Sequence, residues 1–257
     1  MMNNSLGRAY SQFYKNTKLM SQNLFRLMDT TIWPLTLLFG FVFLTRAINN
    51  DPMVVAMVVL GMIGWQVVQQ TQMGIAVSYM DEFWSHSLTH LLVTPIRLWE
   101  FVLGGIMTGI LKCAIVTVLF FITMHFAYGV SIPDPFSFFA ALFFLFIFGI
   151  SIGLINLAII FPHSENAIFL VWTIPDILVI FSGVYYPLEL LPDPLHSIAL
   201  LLPSSHAFNL IKQPFGLASA DWFSLILLSV IWLVGSWMLL QFSFNGAKKS
   251  GKLVRVA

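Results

Sequence analysis

The sequence predicts an all-α polytopic membrane protein with about six transmembrane helices. Two observations lead there. The chain has 257 residues, of which 58% are hydrophobic and only 9% charged, and its mean hydropathy is +0.88. Soluble domains carry about 25% charged residues, and a soluble fold of this size cannot hide so much apolar surface. The apolar residues also fall in long runs, and a helix needs roughly 20 of them to cross the hydrocarbon.

The N-terminal stretch, residues 1 to 30, is polar and basic, with Arg8, Lys15, Lys18 and Arg26 interrupted by Phe13, Tyr14, Leu24, Phe25, Leu27 and Met28. This reads as an amphipathic helix in the membrane interface, its cations toward lipid headgroups. The segment has no small-residue cleavage site, so no cleavable signal peptide is expected. Apolar runs follow at 31–48, 53–79, 98–127, 136–161, 166–183 and 222–244. The first ends at Arg46 and the turn Asn49-Asn50-Asp51-Pro52. The third ends before Pro133-Asp134-Pro135. No internal repeat or soluble domain is visible, so residues 31–257 form one transmembrane domain.

Between the second and third runs lies Asp81–Pro95, DEFWSHSLTHLLVTP. It is too polar for lipid, yet Phe83, Trp84, Leu88, Leu91 and Leu92 fall on or near one helical face. A short amphipathic surface helix is expected, ended by Pro95. Residues 184–221 are apolar but broken by Pro187, Pro192, Pro194, Pro203 and Pro214. The pieces are too short to span, so re-entrant or interfacial helices on the outer face are expected. Tyr185, Tyr186 and Trp222 suit an aromatic belt.

Lysine and arginine set the orientation. Six spans put both termini on one side with Asp81–Pro95, and that side collects nine of the twelve basic residues. Both termini, Asp81–Pro95 and the Phe161–Asn166 connection are therefore expected in the cytoplasm.

This pattern resembles the ABC-2 type permeases, the membrane subunits of one class of ABC exporters, over nearly the whole chain. The most specific pieces are Leu91-Leu92-Val93-Thr94-Pro95-Ile96 and Phe181-Ser182-Gly183-Val184-Tyr185-Tyr186-Pro187-Leu188, followed by Leu190-Leu191-Pro192 and Leu202-Pro203. The family usually carries a Gly-Thr-Leu-Glu segment before the first of these. Here it reads Ser87-Leu88-Thr89-His90. The resemblance implies half of a membrane pore, paired with a second copy or a close relative. A separate cytoplasmic ATPase that binds ATP and magnesium would drive it, and this chain would bind no cofactor itself. Asp81, Glu82, Phe83, Trp84, His86, Leu88, His90, Leu91 and Pro95 would form the coupling helix docked in that ATPase. Tyr185, Tyr186, Pro187 and Leu188 would form an outer gate.

The chain's own chemistry is sparse. Gly246-Ala247-Lys248-Lys249-Ser250-Gly251-Lys252-Leu253 has phosphate-loop spacing, but Leu253 stands where a hydroxyl is required and no strand precedes it. A basic cytoplasmic tail is the better reading. His86 and His90 have a zinc-compatible spacing without further ligands. Ser182-Gly183 lacks the preceding glycine of an intramembrane serine protease.

Polar groups within the spans carry more information, since they are costly in lipid. Gln66, Gln69 and Gln70 share one face of the second run and are expected at a conduit or helix interface, as is Asn156. Asp176 follows Pro175. It lines the conduit, pairs across a dimer, or bonds to backbone groups freed by a proline kink. Lys112 snorkels or meets a carboxylate. A stand-alone channel or secondary transporter is the alternative function, but it expects paired broken helices, and only one broken region is seen. An intramembrane enzyme is a third. The expected substrate is a lipophilic or amphipathic molecule of drug, lipid or glycan type.

Overall fold

The computed structural model describes residues 5–49, 51–85, 87, 94–129, 132–163 and 165–249. Among these the chain is helical. In order the helices are α1 (Ser5–Gln22), α2 (Leu24–Ile48), α3 (Pro52–Trp84), α4 (Leu98–Thr123), α5 (Pro135–His163), α6 (Glu165–Ile168), α7 (Leu170–Phe181), α8 (Asp193–Ala199), α9 (Pro203–Lys212) and α10 (Trp222–Lys249). A π turn, Met124–Tyr128, extends α4.

Helix boundaries follow local chemistry. Asn23 accepts from the Phe25 amide and starts α2. The first long helix therefore begins at Leu24, and the N-terminal helix ends at Gln22, short of the expected residue 30. Asp51 caps α3 in the same way, with Pro52 in the first turn, where a missing amide costs nothing. The prolines of 184–221 act likewise. Pro194, Pro203 and Pro214 lie in the first two positions of α8, α9 and the 3-10 turn Gln213–Phe215, so they start short helices as much as they interrupt long ones.

Among the described residues five helices are long and apolar enough to cross a membrane: Leu24–Ile48, Pro52–Trp84, Leu98–Phe126, Pro135–His163 and Trp222–Lys249. The fifth expected run, 166–183, is a correction. It divides at Phe169 into α6 and α7, and α7 has 12 residues. At 1.5 Å per residue that is about 18 Å, short of the roughly 30 Å hydrocarbon core.

The bundle is built around α3. In its most apolar window 72% of residues are buried, against 22% for α2 and for α10. It packs on α4, α5 and α2, with α9 against α5, α10 and α3. Small residues permit the closest crossing. A Cβ on Gly74 would sit 2.5 Å from Gly109 Cα and 2.9 Å from Gly105 O. Lipid offers apolar surfaces no reason to associate, so close backbone packing of this kind holds helices together.

The second expected run also needs correction. The helix does not stop near residue 79. It runs on through Trp84, with Ser85 as its C-cap. Asp81, Glu82, Phe83 and Trp84 are therefore the last turn of α3 and not the start of a separate surface helix. His86, Leu88, His90 and Leu91 lie outside the described residues. Pro95 is in the bend before α4 and is exposed.

Candidate functional site: an intramembrane cavity and its charged base

Gln66, Gln69 and Gln70 face a cavity of about 160 Å³ between α2, α3 and α7. Asp176 lines it from α7 and Tyr185 from the turn that follows. The structure thus brings together four of the five residues expected at a conduit or interface. It adds residues the sequence reading missed: Asp29, Trp33, Trp65 and Trp172. Trp33 is 61% and Trp172 37% exposed, and Asp29 and Asp176 are exposed too. The cavity therefore opens on the face between α2 and α7. Its volume holds a benzene-sized group, and a larger molecule would extend from it through this open side.

Polar satisfaction inside the cavity is incomplete. Gln70 Nε2 donates to Gln66 Oε1 at 3.5 Å, a weak bond. The buried Oε1 atoms of Gln69 and Gln70 have no hydrogen-bond partner among the described residues. Such orphaned groups are rare in buried regions and point to a missing partner.

Asn156 lies outside the cavity at a helix–helix contact, one of the two placements expected for it. Its Nδ2 donates to Gln72 Oε1 at 2.8 Å, and Gln72 Nε2 donates to the Val171 carbonyl at 3.3 Å. Two residues along a helix turn about 200°, so Gln72 points away from the face that carries Gln70. This chain of amides ties α5 and α3 to α7 beside the cavity.

Below the cavity, Asp29 and Met73 also line a second space of about 50 Å³, with Lys112, Asp81, Arg26, Ser78 and Thr108 around it. Lys112 is 6% exposed. It stands near Asp29 and Asp81 but forms no salt bridge with a described residue. From Met62 to Asp81, α3 rises about 29 Å, so the two spaces follow most of a membrane's thickness along one helix.

The base is clamped by ion pairs with the N-terminal region. Arg26 forms a two-bonded pair with Asp81, both contacts 2.5 Å. Lys15 bonds Glu82. Arg8 pairs with Glu100 at 2.8 and 2.5 Å, while Glu100 also accepts from the Arg97 amide and caps α4. Two carboxylates in the last turn of α3 meet the negative end of its dipole, and the cations offset that.

The expectation that these cations face lipid headgroups is corrected. Ala9, Gln12, Asn16 and Met20 form the inward face of α1, and Asn16 donates to Ser78 Oγ at 2.7 Å. A polar inner face at i, i+4 was the available signal, overshadowed by the apolar residues outside. Asp81, Glu82 and Phe83 are buried, whereas Trp84 is 52% exposed.

At the other end, Tyr185 stacks on Phe41 with centroids 4.6 Å apart, and Tyr186 donates to the Ile180 carbonyl. Pro187 precedes the 3-10 turn in which Leu188 is buried. Gly183, at φ +62°, allows this turn, and a Cβ there would meet Leu188 at 2.7 Å. Lys212 of α9 is 1% exposed and donates to the carbonyls of Gly183 and Tyr186, the latter at 2.5 Å. Burial pushes its pKa down to about 8. Nothing in the local sequence around Lys212 announces this role. Ser182 bonds Leu178 O and Ser204 Oγ, each at 2.7 Å, which are packing contacts.

A multi-pass helical bundle with a polar cavity along its central helix is a membrane transport protein in form. The family model of the ABC-2 type transporter matches residues 6–215, and the chain belongs to that family: it is a transmembrane permease of ABC-2 transporters. Among curated proteins no match was found.

Proposed function

We propose that this permease is half of an ATP-driven exporter that moves an amphipathic molecule outward. The cavity carries the reading. Gln66, Gln69 and Gln70 from α3 and Asp176 from α7 line it together, and Asp29 joins it to a second polar space at the base of α3. Polar side chains at such depth are expensive unless they serve a pathway. Because the cavity opens beside α2 and α7, a second copy or a close relative facing it would complete the conduit. Tyr185, with Tyr186, Pro187 and Leu188, closes its outer end.

A cytoplasmic ABC ATPase, with ATP and magnesium on that subunit, supplies the energy. In this reading both termini and the 81–95 connection face the cytoplasm of the cell membrane. The docking surface is Trp84 and the residues through Pro95, including His86, Leu88, His90 and Leu91. Asp81 and Glu82 play a different part from the one expected: they join that surface to α1 and α2 through Arg26 and Lys15.

Co-purification with the partner ATPase in nanodiscs tests this. Wild type is expected to assemble and to alter ATP hydrolysis. Trp84→Ala with His90→Ala is expected to weaken assembly, and Glu82→Gln to leave assembly intact but reduce coupling. Conduction of ions by the purified chain alone, without any ATPase binding, would replace the exporter with a channel.

A further inference from the structure

The walls of the cavity have a consistent chemistry. Among the described residues two carboxylates line it, from Asp29 and Asp176, and no lysine, arginine or histidine does. Asp29 also borders the smaller space that holds Lys112 and Arg26. Asp176 forms no ion pair with a described residue, so it is the carboxylate positioned to meet a ligand's charge. Among the described residues that line the cavity, the buried side-chain atoms without a partner are both acceptors, the Oε1 atoms of Gln69 and Gln70, and Gln70 is only 4% exposed. The indoles of Trp33, Trp65 and Trp172 share the remaining surface with Tyr185 and with apolar side chains such as Leu37, Met62 and Val179.

Resting on the permease reading above, we propose that the cavity selects amphiphilic organic cations whose charged head bears N–H donors, such as ammonium or amidinium groups. Each component favours that class. Aromatic faces attract cations through their quadrupole, most of all when water is excluded. Orphaned buried acceptors are relieved by a donor, and a charged donor makes the stronger bond. An anion would meet Asp176, which has no cation beside it among the described residues. A neutral amphiphile would bury Asp176 beside it without answering its charge.

The test measures binding to the full-length permease in nanodiscs with three probes: ethidium, a cation with N–H donors; tetraphenylphosphonium, a cation without them; and Nile red, which is neutral. Wild type is expected to bind ethidium saturably and tetraphenylphosphonium more weakly. Asp176→Asn is expected to weaken ethidium about tenfold, Asp29→Asn and Gln70→Leu less, with Nile red unchanged throughout. Asp176→Glu, which keeps the charge, should retain ethidium binding; it and Gln70→Leu carry the test if Asp176→Asn does not fold. Ethidium binding unaffected by these changes, or no tighter than Nile red, overturns the proposal. A chain that couples to its ATPase but ignores ethidium loses the cation class and keeps the exporter. A chain that binds ethidium through Asp176 without ATPase coupling keeps the cation site and loses the exporter.

Discussion

The base of α3 and the cavity above it use the same kinds of residue in opposite ways. At the base, the buried carboxylates Asp81, Glu82 and Glu100 each meet a cation from the N-terminal region. In the cavity, Asp176 meets none among the described residues, and two buried amide oxygens have no partner. A satisfied buried charge holds elements in place. An unsatisfied polar group is retained at a cost to stability, and a ligand is the natural reason to retain it. The comparison separates residues that fix the fold from residues that await something.

The largest expected effect comes from breaking the clamp. Arg26→Ala leaves Asp81 buried beside Glu82 without its partner and should destabilise by on the order of 3 kcal/mol. Thermal unfolding in detergent would show it. Adding Asp81→Asn should restore much of the loss, and failure of that rescue would mean that Arg26 acts by packing alone. Next is Lys212→Met, which strips donors from two carbonyls in the turn after α7. We expect a cost of about 2 kcal/mol, with faster proteolysis near Gly183.

The cavity should behave in the reverse sense. Gln70→Leu removes an orphaned acceptor and should leave stability unchanged or raise it by up to about 1 kcal/mol, while transport falls. A clear loss of stability would place Gln70 with the clamp residues. The smallest effect is a pH dependence at Lys212. Between about 8, its folded value, and the ordinary 10.5, the unfolded lysine still holds a proton that the buried one has released. Stability therefore rises with pH across that window. The Tm of wild type at pH 9.5 relative to pH 7.5 should exceed the same difference in Lys212→Met.

Much of this was legible in the residues. Four long runs and the later part of α2, from residue 31 on, declared themselves by length and apolarity. The family was legible in Leu91–Ile96 and Phe181–Leu188, and the Gln66, Gln69 and Gln70 face in its helical spacing. Where the second run ended was not legible. Asp81 and Glu82 look like surface residues because one sequence cannot show that Arg26 and Lys15, more than 50 residues earlier, fold over them. Nothing in the sequence marks Asp29, Trp33, Trp65 or Trp172 as neighbours of the glutamine face, because they come from three different helices.

The sequence by itself determined that this chain lives in a membrane, where most of its helices begin, and which helix face carries amides. Those properties depend on composition and on periodicity within one segment. Only the tertiary structure decided which charges are paired, that Asn156 belongs to a packing chain and not to the cavity, and that Asp29, Asp176 and three indoles meet around Gln70. Those properties depend on how distant helices rotate against each other, and that is set by close contacts such as Gly74 on Gly109, which no single segment contains.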